Sequence, residues 1–285
     1  MNIFINDIQA EITLDTEKTL GDVMAGIELW ISPTGNRIKK ICINSKEISG
    51  DSLSEAFNKQ TQDINKLDIY ISAWRELASE ALEILYETCM LYENAPFDKR
   101  SQIFADWKET PSSRFLNSDI PDIYIMAERV LAGYGLPASD FNTIIDERLR
   151  ELVDPWQETI NSEILVNTVS TRMKEFPLDM QTGKDQRAAE TIQLFSQITA
   201  KLFRIFFIYK SEGLSMETFV IDDRPAKTFI EEFNRALTEL SDAYETRDTV
   251  LAGDIAEYEL APQLLKLFIA MKNITKSHSP VKTLP

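Results

Sequence analysis

The sequence holds a single histidine, His278, and that count limits the chemistry open to this chain. His278 lies between two serines in a stretch without periodicity, where nothing holds an imidazole in a reactive geometry. A Ser-His-Asp triad, a His-rich zinc site and a two-His di-iron pair therefore cannot be built. Carboxylates are abundant, but their placement speaks for structure. Asp222-Asp223 stands before a helical pattern, where Asp caps a helix start, and Asp254 and Glu257 lie one turn apart as a solvated pair. Thr182-Gly183-Lys184-Asp185 has the look of a phosphate loop. Its second glycine is missing, Asp185 stands where a magnesium-binding hydroxyl belongs, and no strand precedes it. A turn capping the next helix explains it, and Gly133-Tyr134-Gly135 ends a helix in the same way. Cys42 and Cys89 sit far apart in apolar patterns and are expected as reduced, buried thiols of a cytoplasmic protein. No catalytic, cofactor-binding or metal-binding residue is assigned.

The rest of the sequence supports a globular chain of two domains. Of its 285 residues, 44 % are apolar and 27 % charged, enough for a core in each. The 30 basic and 46 acidic residues give a formal charge of −16. Such a surface repels nucleic acid and anionic lipid, so neither is expected as a partner. No basic region followed by an apolar core opens the sequence, so no signal peptide is expected, and no run is long and apolar enough for membrane insertion.

The first seventy residues alternate. Ile3 and Ile5 mark one strand, the Asn6-Asp7 turn follows, and Ile12 and Leu14 mark a second strand of a hairpin. Thr19 caps a helix with Asp22 three positions on, and Leu20, Val23, Met24, Ile27 and Trp30 form its stripe. Ser32-Pro33-Thr34-Gly35-Asn36 breaks it. Ile38, Ile41 and Ile43 mark a third strand, and Leu67, Ile69 and Ile71 a last one. Met1-Asn2-Ile3-Phe4-Ile5, Glu11-Ile12-Thr13-Leu14-Asp15, Lys40-Ile41-Cys42-Ile43 with Lys46-Glu47-Ile48, and Lys66-Leu67-Asp68-Ile69-Tyr70-Ile71 resemble, in order and spacing, the strands of the ubiquitin-like β-grasp family. The resemblance covers the first quarter of the chain and implies a ubiquitin-like domain over residues 1–72. Here the last strand runs into Ser72-Ala73-Trp74-Arg75 and a helix, in place of ubiquitin's conjugated tail.

From Trp74 the period becomes helical. Leu77, Ala81, Ile84, Leu85, Thr88, Cys89 and Tyr92 mark a long helix. Shorter ones follow around Trp107, over Ile120 to Leu131 and over Phe141 to Leu152, and another runs from the Asp154-Pro155 start to Phe176-Pro177. Ala188, Ile192, Phe195, Thr199, Leu202, Phe206 and Tyr209 form the stripe of a central helix that becomes apolar nearly all round. A helix from Asp223-Arg224-Pro225 and a bent or split one from Thr249 to Ile274, with Gly253 and Pro262, complete a helical domain over residues 73–276. Residues 277–285 read as a disordered tail.

The fold class is thus α+β: a ubiquitin-like β-grasp domain followed by a helical bundle. On the sheet, alternation turns Ile3, Ile5, Ile41, Ile43, Leu67, Ile69 and Ile71 to the core and Phe4, Cys42 and Tyr70 to the opposite face. That apolar trio is the candidate protein-interaction patch, either free or covered by the helical domain. The expected function is a non-enzymatic, cytoplasmic adaptor, scaffold or assembly factor with a protein partner and no cofactor. A small-molecule or peptide binder, or a carboxylate-dependent enzyme with its site between helices, is the alternative, and a homo-oligomer is a third.

Overall fold

The computed structural model describes residues 1–14, 16–31 and 34–274. An N-terminal mixed sheet is followed by a mostly helical region, and the chain forms two compact units. The first is Met1–Leu152 with Ser211–Gly213; the second is Val153–Lys210 with the residues from Leu214 onward. The boundary expected after residue 72 falls inside the first unit. His278 and the tail over residues 277–285 lie outside the described residues.

In the first unit, strands β1 (Asn2–Ile5), β2 (Ile8–Gln9), β3 (Asn36–Ile43), β4 (Lys46–Glu47) and β5 (Lys66–Ala73) form one sheet in the order β2-β1-β5-β3-β4. Strands β1 and β5 run parallel, which requires a crossover, and helix α1 (Leu20–Ile31) lies on it. This arrangement is compatible with a β-grasp-like fold. Leu20, Val23, Met24, Ile27 and Ile31 of α1 bury against Ile3, Ile41, Ile43, Leu67 and Ile69 of the sheet. Ile38 joins that core although it is three residues from Ile41, a spacing that strict alternation forbids. A register shift between Ile38 and Lys40 resolves the conflict: the extra residue, Lys39, turns Ile38 back to the helix side.

The expected second strand is shorter and earlier than its apolar alternation suggests. Asn6 (φ 48°) and Asp7 (φ 66°) form the two-residue turn with both residues left-handed, as a tight hairpin requires. This register pairs Ile5 with Ile8 and Phe4 with Gln9, and Ala10 donates to the Ile3 carbonyl at 2.9 Å. Glu11 then falls opposite Asn2, the first residue of β1, and Ile12 to Leu14 pass beyond the strand that could pair with them. Residues 11–14 consequently run without strand, helix, turn or bend.

Strand β5 passes directly into helix α3 (Trp74–Asn94), with no linker residue between Ala73 and Trp74. Trp74 is buried at this junction; its indole Nε1 donates to Asp119 at 3.1 Å and its ring lies 6.4 Å from that of Phe115. Helices α4 (Phe97–Lys108), α5 (Pro111–Asp119), α6 (Pro121–Leu131) and α7 (Ala138–Val153) follow. Helix α5 begins within Thr110-Pro111-Ser112-Ser113, a run whose proline and hydroxyls are expected only to interrupt a helix. Thr110 accepts from the Ser113 amide and Pro111 takes the first turn, so the same residues that stop α4 start α5.

The second unit contains helices α8 (Pro155–Asn161), α9 (Glu163–Gln181), α10 (Asp185–Ser211), α11 (Ala226–Glu245), α12 (Thr249–Asp254) and α13 (Ala261–Ile274), with a hairpin of β6 (Val220–Ile221) and β7 (Arg224–Pro225). The central helix is α10, whose Phe195, Leu202 and Phe206 bury in a core with Phe229 and Phe233 of α11. Four differences from the sequence reading have local causes. The helix expected over 154–176 is divided at Ser162, and α9 continues through Pro177 to Gln181. Pro177 is housed by Gly253, where an added Cβ would sit only 3.0 Å from the proline Cβ, so glycine lets α12 approach. Asp222 and Asp223, both left-handed, form the β6–β7 turn and do not cap α11. The bend expected near Pro262 is absorbed by a π-helical stretch, Ile255–Leu260, which rearranges the hydrogen bonds that proline cannot make.

The Asn6 side chain extends the β1–β5 pairing: its Nδ2 donates to the Ile71 carbonyl at 3.1 Å and its Oδ1 accepts from the Ile71 amide at 2.9 Å. Asn6→Ala removes both bonds and puts a less tolerant residue at positive φ, with an expected loss of about 1–2 kcal/mol in denaturant unfolding. An unchanged midpoint would show that the turn is not anchored there.

Candidate functional site: an open cleft beside the first helix

The unpaired segment and helix α1 together enclose a cleft of about 580 Å³. One wall is Ile5, Ala10, Ile12 and Leu14; the other is Val23, Gly26, Ile27 and Trp30 of α1. The helix is fixed at its start by a reciprocal cap. Thr19 Oγ1 accepts from the Asp22 amide at 3.2 Å, while Asp22 Oδ2 accepts from the amides of Thr19 at 2.9 Å and Lys18 at 3.1 Å. The backbone bond from Thr19 is the main reason the Asp22 carboxyl is held below the usual carboxylate range, so it stays charged at neutral pH.

Two apolar side chains that line this cleft face solvent: Trp30 is 63 % exposed and Ile12 40 %. Trp30 therefore leaves the buried stripe that its spacing suggests, and Ile31 takes that place. Helical geometry explains the exchange: from Ile27, four residues advance the angle by about 40° past a full turn, whereas three fall about 60° short. Among the described residues, the charged ones lining the cleft are Glu11, Glu17 and Asp22, and none is basic.

Gly26 is the least expected member. A helix-interior glycine costs about 0.5–1 kcal/mol relative to alanine, and an added Cβ here meets no atom within 4 Å. Packing therefore does not require glycine at this position, in contrast to Gly253. Gly26, Leu29 and Trp30 carried a signal in the sequence: Leu29 and Trp30 cannot both share the face of Ile27 and Ile31, and a mid-helix glycine invites a reason.

The residues chosen from sequence do come together on the other sheet face, but that face is not bare. The register aligns Phe4 with Asp68 and Asp68 with Cys42, and Tyr70 follows two residues along β5. Cys42 and Asp68 are buried, and Phe4 and Tyr70 are half-buried. Lys66 Nζ sits 4.6 Å from the Phe4 ring centroid and 2.6 Å from Asp68 Oδ1, while Lys40 Nζ lies 5.6 Å from the Tyr70 ring. The Tyr70 hydroxyl donates to Asp7 Oδ1 at 2.8 Å, which raises its pKa.

The other sequence candidates occupy structural roles. Asp222 pairs with Lys266 at 2.7 Å and Arg224 at 3.1 Å, the Lys266 bond being the main cause of its lowered pKa. Glu257 and Asp254 flank the exposed Tyr258 and raise its hydroxyl pKa, Glu257 first. In the 182–185 turn, Gly183 is left-handed, and Lys184 Nζ and Arg187 Nη1 lie 3.6 and 3.0 Å from the buried Asp179 carboxylate. Cys42 and Cys89 are free thiols, and burial pushes the Cys89 thiol up to about 12, away from the reactive range. Among the described residues no group of three or more His, Cys, Asp or Glu is placed to hold a metal ion, and no helix is long and apolar enough to cross a membrane.

Residues 1–73 match the family model described as the TP0873 N-terminal domain, and that match ends with β5. Residues 159–269 match the model described as a domain of unknown function, DUF8042. No curated protein and no solved structure matches the chain.

Gly26 and Gly253 should respond oppositely to substitution. Gly26→Ala is expected to stabilise the chain by about 0.5–1 kcal/mol. Gly253→Val, which drives a branched side chain into Pro177, is expected to destabilise it by about 1–3 kcal/mol. Thermal unfolding of the two variants checks both signs, and a destabilised Gly26→Ala would mean that the cleft wall is packed.

Proposed function

We propose that this chain is a non-enzymatic protein–protein interaction module, a ubiquitin-like domain joined to a helical domain, that acts as an adaptor, scaffold or assembly factor in the cytoplasm. The observation that carries the reading is the open, mostly apolar cleft whose lining leaves Ile12 and Trp30 exposed to solvent. Solvation alone does not account for an exposed isoleucine and tryptophan on facing walls of one opening, and exposed apolar clusters mark contact surfaces. Tryptophan is also the residue most enriched among those that dominate binding energy at interfaces. The sheet order with parallel β1 and β5 supports the ubiquitin-like assignment. This reading moves the docking surface from the Phe4, Cys42 and Tyr70 face to the α1 side, because lysines already cap the two rings of that face.

The test is an Ile12→Ser, Trp30→Ser double variant of the full chain, compared with wild type in affinity purification from native cells. Both side chains are exposed, so the melting temperature should stay within the small range of surface changes, about 0.5 kcal/mol each. Recovery of a partner protein should fall at least about tenfold, since one interface tryptophan is commonly worth 2 kcal/mol or more. Undiminished recovery of every partner would remove the cleft from the function.

A further inference from the structure

We infer that the cleft receives an extended, basic-flanked segment of a partner protein, which adds as a strand along Glu11–Leu14 and sends alternate apolar side chains into the cleft. The inference rests on the reading that this cleft docks a protein and names the chemistry of what docks.

Three observations specify the occupant. The first is backbone. After the Ala10 amide bonds to Ile3, no hydrogen bond involves the amides or carbonyls of residues 11–14 among the described residues. An unpaired run of this kind is a template for strand addition, in which main-chain bonds supply affinity and alternate side chains supply specificity. The four residues match a partner strand of about four to five residues, roughly 14–17 Å long.

The second observation is shape. The cleft lies directly beside this edge, with Ile5, Ile12 and Leu14 on one side and Val23, Ile27 and Trp30 on the other. A strand pairing with residues 11–14 would place every second side chain between them. Gly26 leaves the helix wall open at mid-length, which the fold itself does not require.

The third is charge. Among the described residues, the ionisable groups at the rim are Glu11, Glu17 and Asp22, the last held in the carboxylate form by its cap bonds. Complementary flanks are lysine or arginine. A second copy of a chain with a formal charge of −16 is a poor match, and an uncharged small molecule would leave the backbone edge unpaired.

A phage-displayed library of random nine-residue peptides, selected on the immobilised full chain, tests the inference without knowledge of the partner. Enriched peptides should carry apolar residues at alternate positions and lysine or arginine at the ends. Their affinity, measured by fluorescence anisotropy, should fall at least about tenfold when the peptide backbone is N-methylated at alternate residues. It should fall as much in Gly26→Leu, whose side chain enters the cleft, and in the exposed variant Glu11→Lys, which keeps the test open if Gly26→Leu fails to fold. Acidic or non-alternating peptides, N-methylated peptides that bind as well as their parents, or no enrichment at all would overturn the inference. Those outcomes would leave the docking reading standing if the Ile12→Ser, Trp30→Ser variant still loses its partner, so the two failures are distinguishable.

Discussion

The position of the Asn6–Asp7 turn governs the whole N-terminal arrangement. Both residues are left-handed, and both side chains are tied to β5: Asn6 to the Ile71 backbone and Asp7 to the Tyr70 hydroxyl. The turn cannot slide by one residue without breaking these bonds and shifting the pairing of β2 along β1 by two residues. With the turn fixed, the hairpin register is fixed, and β1 ends before Ile12 finds a partner. The free edge and the cleft beside it follow from that one register.

The fold was largely legible in the sequence because its signals are local. Alternation in Lys66–Ala73, the cap from Thr19 to Asp22 and the stripe of α10 each depend on neighbouring residues, and each element is present. What was not legible depends on length, on long-range packing or on a signal with two meanings. Ile12 and Leu14 alternate as a strand should, but a strand also needs a partner of matching length. Pro177 would end a helix in isolation, yet Gly253, far along the chain, makes room for it. Ile38 shares the core with Ile41 only because Lys39 bulges, which side-chain pattern alone does not reveal. Thr110-Pro111 is both a stop and a start, and only the former was visible as a break.

The candidate site was legible in a weaker sense. Phe4, Cys42 and Tyr70 do share a face, as alternation requires, but the same alternation places Lys66 beside Asp68 and Phe4, and Lys40 beside Tyr70. A pattern of apolar residues names a face; it does not say whether the long charged chains next to them lie across it. The cleft is harder to find because Ile12 alternates as a strand residue and Trp30 falls on the spacing of the α1 stripe. Their exposure follows from the hairpin register and from the angular position of Ile31, two features fixed only by the assembled sheet and helix.

Amide hydrogen exchange on the intact chain, with and without the most enriched library peptide, tests the central claim most directly. In the free protein the amides of Ile12, Thr13 and Leu14 should exchange at rates close to those of an unstructured peptide, while that of Ala10, bonded to Ile3, is protected. On adding the peptide, protection should appear within residues 11–14 and leave the Cys42 and Tyr70 amides unchanged. Amides 11–14 that are already slow in the free chain, or that stay fast in the saturated complex, would contradict the account.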